Sequence, residues 1–311
     1  MPENPTGFLP SAPLNGSGVG ESSSGGSSRR SLGCATLIGG QTLSGLIEWV
    51  TGEPDHALLS RVGERIPNGD DGEWRPEEAH TLRIHSTFRD GDRTAVVYAC
   101  SSKQRPTDLR DVMLTTPKPS SADRRAFGRI IATQIRSLHV HFQIIHPMLR
   151  TESFAFFSPS PSSSNAAEPL DLSRPYILDW GYRVSSSSSG LPTTVDMFQH
   201  PGYRASALVT PQWFNQAWAL MMILTEIADW RPIEGGPFRD EAALREATLQ
   251  RGQLVTDESW KNSSTAAIFR YGFAFLDHKP EVLAQYSHWQ IKRFYDRLCQ
   301  LLAPTETDPP Q

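Results

Sequence analysis

The sequence predicts an α+β fold of two lobes, the first small and strand-rich, the second larger and helical. Three observations lead there. Apolar runs between about residues 35 and 100 are short and punctuated by Gly, Asp and Pro. From Ser121 the apolar spacing lengthens to a helical period of ~3.6 residues. The run "WALMMIL", Trp218 to Leu224, is apolar almost all round, as a buried helix requires.

Residues 1–34 are a Gly/Ser/Pro tract that cannot offset its ordering entropy by burial, and they are expected to form a disordered tail. Residues 35–102 make the N-lobe, with strands at "CATLIGG", "GLIEWV", "HTLRIHSTF" and "TAVVYAC" and a helix at "DHALLSRVGERI". Residues 103–303 make the C-lobe. There "SADRRAFGRIIATQIRSLHVHF" puts Phe127, Ile130, Ile131, Ile135 and Leu138 on one helical stripe, with Ser121 as its N-cap. Two strand-like pieces follow, "FAFF" and "PYILDW". The Ser/Pro tract "SPSPSSSNAAEP" separates them and "SSSSSGLPTT" follows the second; both read as loops whose serines are potential phosphate acceptors. Pro211 opens the apolar helix, which runs to about Ala228 and exits at Pro232. Helical patterns recur over Glu241 to Leu254 and over "KPEVLAQYSHWQIKRFYDRLCQLL", and residues 304–311 form a second disordered tail.

Composition narrows the function classes. The 311 residues carry 30 basic and 34 acidic groups, a formal charge of −4, with no long run of either sign. That balance indicates neither nucleic-acid binding nor a polybasic membrane patch. The most apolar stretch, around "QAWALMMILTEIADW", is too short to cross a bilayer, so no direct membrane insertion is expected, and the N-terminus has no signal-peptide pattern. Cys34, Cys100 and Cys299 are far apart and odd in number, which fits a reducing compartment, the cytoplasm or the nucleus. His139, His141 and His146 have a spacing compatible with zinc, but no C-x-x-C or H-E-x-x-H accompanies them, and they read as ordinary helix-end histidines. No G-x-S-x-G elbow supports a Ser-His-Asp hydrolase.

Seven segments, "GLIEWV", "RTAVVYAC", "DLRDVM", "SLHVHFQIIHPMLRTESFAFF", "YILDWGY", "MFQHPGYR" and "LTEIADWRP", follow one another in an order that resembles a eukaryotic-type protein kinase domain. More closely, they are similar to the divergent kinase-like domains of filamentous fungi that often lie C-terminal to HeLo or prion-inhibition domains. The resemblance covers roughly residues 40 to 300 and implies a two-lobe kinase-like fold. The tract ahead of it is too short for a HeLo bundle, so any role that such a bundle supplies is not expected here.

Carried over residue by residue, the resemblance identifies a degenerate site. His146 falls on the His of the H-R-D catalytic loop, Pro147 on its Arg and Met148 on its Asp, and a thioether cannot accept the substrate hydroxyl proton. Ser153 falls on the Asn that holds a second Mg²⁺, and Arg150 on the Lys beside the transferred phosphoryl group. Gly39, Gly40 and Gly45 do not have the G-x-G-x-x-G spacing of a phosphate-cradling loop. The first Lys of the chain is Lys103, so the third-strand Lys is missing; Val50 stands near its place, Arg61 is a substitute in principle, and Glu64, at the place of the acidic partner, reads as a solvent-exposed acid without its cation. Gln216 replaces the Asp that anchors the catalytic-loop backbone, a loss of charge that suggests a loop no longer held in catalytic geometry. Asp179, in "LDWG", falls on the metal-binding Asp of D-F-G, with Trp180 in the Phe position and Gly181 allowing the turn. The alternative for Asp179 is a strand end whose side chain caps the following turn. His200, in "FQHPGYR", reads as a packing or hydrogen-bonding residue.

The expected function is a catalytically inactive kinase-like scaffold or regulatory module in fungal intracellular signalling, acting through protein partners and needing no cofactor. The alternative is a weakly active ATP-dependent protein phosphotransferase in which Asp179 and Gly181 serve Mg-ATP and Arg150 gives cationic support.

Overall fold

Strands predominate among the described residues up to Cys100 and helices beyond it, in a computed structural model that describes residues 30–36, 42–68, 74–75, 77–100, 106–157, 170–181, 197–201, 212–233, 241–262 and 266–304. Strands β1 (Arg30–Thr36), β2 (Thr42–Thr51), β3 (Ile84–Asp90) and β4 (Arg93–Ala99) form an antiparallel sheet in the order β1-β2-β4-β3. Strand β1 begins inside the tract 1–34 expected to be disordered, and Arg30 stands directly opposite Glu48 of β2. Strand β4 lies between two neighbours and is buried from Thr94 to Tyr98, which explains why "TAVVY" is apolar without alternation. Helix α1 (His56–Arg65) connects β2 to β3, starts at Asp55, whose carboxylate accepts the Leu58 N–H at 3.0 Å, and buries Leu58, Leu59 and Val62. Gly39 and Gly40 lie outside the described residues. Gly45 sits in β2 opposite Ala99, where a Cβ would lie 2.7 Å from the Tyr98 carbonyl oxygen. Its lack of a side chain therefore serves sheet packing.

A second, small sheet joins β5 (Thr107–Asp108), β6 (Phe154–Phe156) and β7 (Tyr176–Ile177) in that order. The helices of this part are α2 (Leu109–Thr115), which packs on β5 and β6, then α3 (Ser121–Val140), α4 (Trp213–Asp229), α5 (Glu241–Leu254), α6 (Glu258–Lys261), α7 (Ile268–Leu276), α8 (Pro280–Leu283) and α9 (His288–Leu301). Helix α4 is buried from Gln216 to Ala228 and packs against α3, α5 and α7. A helix enclosed by others has no need of a polar stripe, so its sequence is apolar almost all round.

Three local expectations change. Ser120 caps α3, accepting the Asp123 N–H at 3.1 Å, whereas Ser121 is the first helical residue. Pro211 lies outside the described residues, and α4 starts at Trp213 after an extended Gln212. The final helical pattern divides into α8 and α9 because Ser287 and Gln290 close a capping box: the Ser287 hydroxyl accepts the Gln290 N–H at 3.4 Å, and Gln290 Oε1 accepts the Ser287 N–H at 2.9 Å.

Gly45→Ala should lower stability by about 1–2 kcal/mol in urea denaturation. The clash with a backbone oxygen in a packed sheet costs about 1–3 kcal/mol and outweighs the gain of up to about 1 kcal/mol from a stiffer unfolded chain. An unchanged or raised midpoint would contradict the close approach of β2 to β4.

Candidate functional site

After α3 the chain reverses at Gln143, whose φ is +54°, and the Ile144 N–H returns to the Leu138 carbonyl at 2.9 Å. Burial of Ile144 and Leu149 then pins the segment that follows. His146 is buried and bonded in three directions. Its backbone N–H donates to Gln216 Oε1 at 2.7 Å, its Nε2 donates to the Leu178 carbonyl at 2.7 Å, and its Nδ1 accepts the Met148 N–H at 3.2 Å. Because a carbonyl can only accept, these partners select the Nε2-protonated tautomer. The ring also packs against Trp180, centroids 4.6 Å apart, and the Trp180 indole N–H donates to the Thr81 hydroxyl and the Ile177 carbonyl, both at 2.9 Å. The expectation that replacing an acid by Gln216 frees this loop is corrected: a neutral amide oxygen makes the backbone hydrogen bond.

Asp179 follows β7 with φ +68°, a left-handed backbone that Asp tolerates better than most residues. Its carboxylate is buried and faces β1. Arg30 Nη2 donates to Asp179 Oδ1 at 2.5 Å and to the Glu152 carbonyl at 2.8 Å. Ser153 Oγ donates to Asp179 Oδ2 at 3.1 Å and accepts the Arg150 N–H at 3.1 Å. Behind Arg30 lies Glu48, fully buried, with Oε2 3.7 Å from Arg30 Nε and accepting the Asp179 N–H at 3.0 Å. Burial alone would lower the Arg30 pKa, but Asp179 and then Glu48 outweigh it and hold the guanidinium above its ordinary value. Burial, then Glu48 and Asp179, push the phenol of Tyr98 on β4 well above its usual range.

Gly181 completes the cluster. A Cβ there would lie 2.7 Å from Val96 Cγ2 and 2.9 Å from Val50 Cγ1, so the first sheet packs directly on the turn after Asp179. Val50 is thus a packing residue at this turn, and Glu48, two positions earlier on the same strand face, is the charged group that reaches it. Arg61 and Glu64 are exposed on α1, with Glu64 accepting from Ser60 Oγ at 2.7 Å. The guanidinium of Arg150 lies 5.9 Å from the Phe198 ring centroid. Met148 is half-buried and has no acid–base group to offer. His200 donates Nε2–H to the Leu276 carbonyl at 2.9 Å and packs between Phe214 and Trp218. His139 and His141 sit at the end of α3, and burial lowers the His139 pKa to about 4.

Arg30, Glu48 and Glu226 are site residues that the sequence reading missed. Glu226, buried near the end of α4, accepts from the Thr151 hydroxyl through Oε2 and from the Ile233 N–H at 2.6 Å through Oε1. Burial, opposed by those two hydrogen bonds, raises its pKa from 4.5 to about 7. One signal for Glu48 was available, since an acid inside the apolar run "GLIEWV" needs a buried partner. Arg30 offered none, because it ends a polar tract.

The donor set does not fit Mg²⁺. Both oxygens of Asp179 already accept hydrogen bonds, one of them from a guanidinium whose positive charge would repel a second cation. Among the described residues no three His, Cys, Asp or Glu side chains group as metal ligands. What the arrangement can do is hold β1, the 3₁₀ turn Thr151–Ser153 and the Asp179 turn together. No protein-family model matches this chain, and no curated protein matches it.

The raised pKa of Glu226 has a defined consequence. Between pH 4.5 and about 7 the folded chain keeps a proton that the unfolded chain releases, so stability should fall as pH rises through that window, by up to ~1.4 kcal/mol per unit, and level off above it. Chemical denaturation of Glu226→Gln across the same range should lack this component. An identical pH slope in both proteins would show that Glu226 does not titrate there.

Proposed function

We propose that this chain is a catalytically inactive, kinase-like scaffold or regulatory module that works through protein partners in the cytoplasm or nucleus, in the fungal signalling setting that the resemblance implies. The observation that carries the reading is the buried pair between Arg30 and Asp179. A carboxylate bonded to an arginine of its own chain is already engaged, and a protein that depended on it for metal would have to expel that arginine first.

Other features support the reading. A strand-containing N-terminal region followed by a more helical C-terminal one is the coarse α+β organisation that the kinase-like reading requires. His146 and Gln216 keep the loop backbone in place while Met148 leaves it without a base. The close approach of Val50 and Val96 to Gly181 leaves no room for a side chain at the turn after Asp179. Among the described residues no helix is long and apolar enough to cross a membrane.

Calorimetry of the whole chain with Mg-ATP tests the proposal. No binding heat is expected at millimolar ATP, and no γ-phosphate transfer above that of Asp179→Ala. Mg²⁺-dependent binding that disappears in Asp179→Ala, with the variant still folded by circular dichroism, would favour the weak phosphotransferase instead. Separately, Arg30→Ala should cost about 3–5 kcal/mol of stability, since it strands Asp179 and Glu48 as buried carboxylates. A loss under ~1 kcal/mol would sink that pairing.

A further inference from the structure

Helix α9 carries a basic and aromatic face far from the Asp179 cluster in sequence and independent of it. Trp289, Lys292, Arg293, Asp296 and Arg297 recur at intervals of three and four residues and so share one side of the helix. With Tyr271 of α7 they line a groove of about 580 Å³. Trp289 is 64% exposed, an unusual position for the largest apolar side chain, and the Arg293 guanidinium lies 5.4 Å from its ring centroid.

The charges there are not balanced internally. Asp296 is the groove's acid, and it is already engaged by Arg136 Nε and Lys292 Nζ, both at 2.6 Å. Arg293 and Arg297 have no carboxylate partner among the described residues; Arg297 Nη1 reaches only Gln300 Oε1, at 3.4 Å. Burial raises the pKa of the Tyr271 phenol, and Arg297 and Arg293 pull it back, as two guanidiniums turned toward the groove would. A surplus of fixed cations beside exposed aromatic surface, on a chain whose formal charge is −4, is a local inversion of the overall field.

We propose that this groove is a docking site for an acidic segment of a partner protein that carries an aromatic or aliphatic side chain. Carboxylates of the segment pair with Arg293 and Arg297, which present forked donors suited to them, and the apolar side chain packs on Trp289 and Tyr271. Arginine and tryptophan are the side chains that most often dominate binding energy at protein interfaces. A concave groove with two fixed guanidiniums suits an inserted side chain with flanking acids better than it suits a flat lipid surface.

The probe is a fluorescein-labelled peptide of Glu residues around one central Phe, titrated with the full chain and followed by anisotropy, beside a control in which Lys replaces Glu. Saturable binding of the acidic peptide alone is expected. It should weaken at least about tenfold in Arg293→Glu and in Arg293→Glu/Arg297→Glu, weaken severalfold in Trp289→Ala, and fall as salt rises. Arg293 and Trp289 are exposed, so these variants should keep the parent's thermal midpoint, and the single variants guard against misfolding of the double one. The absence of saturable binding, or equal affinity in folded Arg293→Glu, would overturn the proposal. So would competition by anionic phospholipid vesicles or single-stranded RNA as strong as that by unlabelled peptide, which would mark a general polyanion patch.

Discussion

One ion pair organises the centre of this protein. Arg30 is taken out of water to a place where burial opposes its charge, and what holds it there is Asp179 at 2.5 Å with Glu48 behind it. Neither carboxylate could be buried without a donor, and the guanidinium, the Ser153 hydroxyl and the Asp179 backbone N–H are the donors on hand. The three charged groups come from β1, β2 and the turn after β7. Satisfying them fixes how the first sheet meets the helical part, which is why Gly181 can have no side chain between Val50 and Val96.

The loop beside this cluster is held from the opposite side by a single helix. Gln216, early in α4, accepts the His146 N–H, and Glu226, ten residues later, accepts the Thr151 hydroxyl. At 1.5 Å per residue the two anchors are about 15 Å apart along a buried rod. His146 to Thr151 is therefore kept in a defined path by groups that do no acid–base chemistry at the Asp179 carboxylate.

Periodicity made much of the architecture legible. Helix α3, the enclosed α4 and strands β2 and β4 stand where apolar spacing put them, because in each the buried face is written in residue type. Three features escaped that reasoning. Strand β1 is short of apolar residues and merges with a Gly/Ser tract, so composition hid Arg30. The break between α8 and α9 depends on a Ser–Gln capping box inside a continuous helical pattern. At position 216 the sequence argument weighed charge, whereas the hydrogen bond needed only an oxygen. The contacts of the Asp179 site span up to 149 residues, and no local pattern encodes such a pairing.

A double-mutant cycle on Arg30→Met and Asp179→Asn, read as unfolding free energies with and without millimolar Mg-ATP, tests most directly whether Asp179 is committed to arginine and not to metal. A coupling of at least ~2 kcal/mol that Mg-ATP leaves unchanged is the predicted result. A coupling near zero, or one that Mg-ATP abolishes, would contradict it.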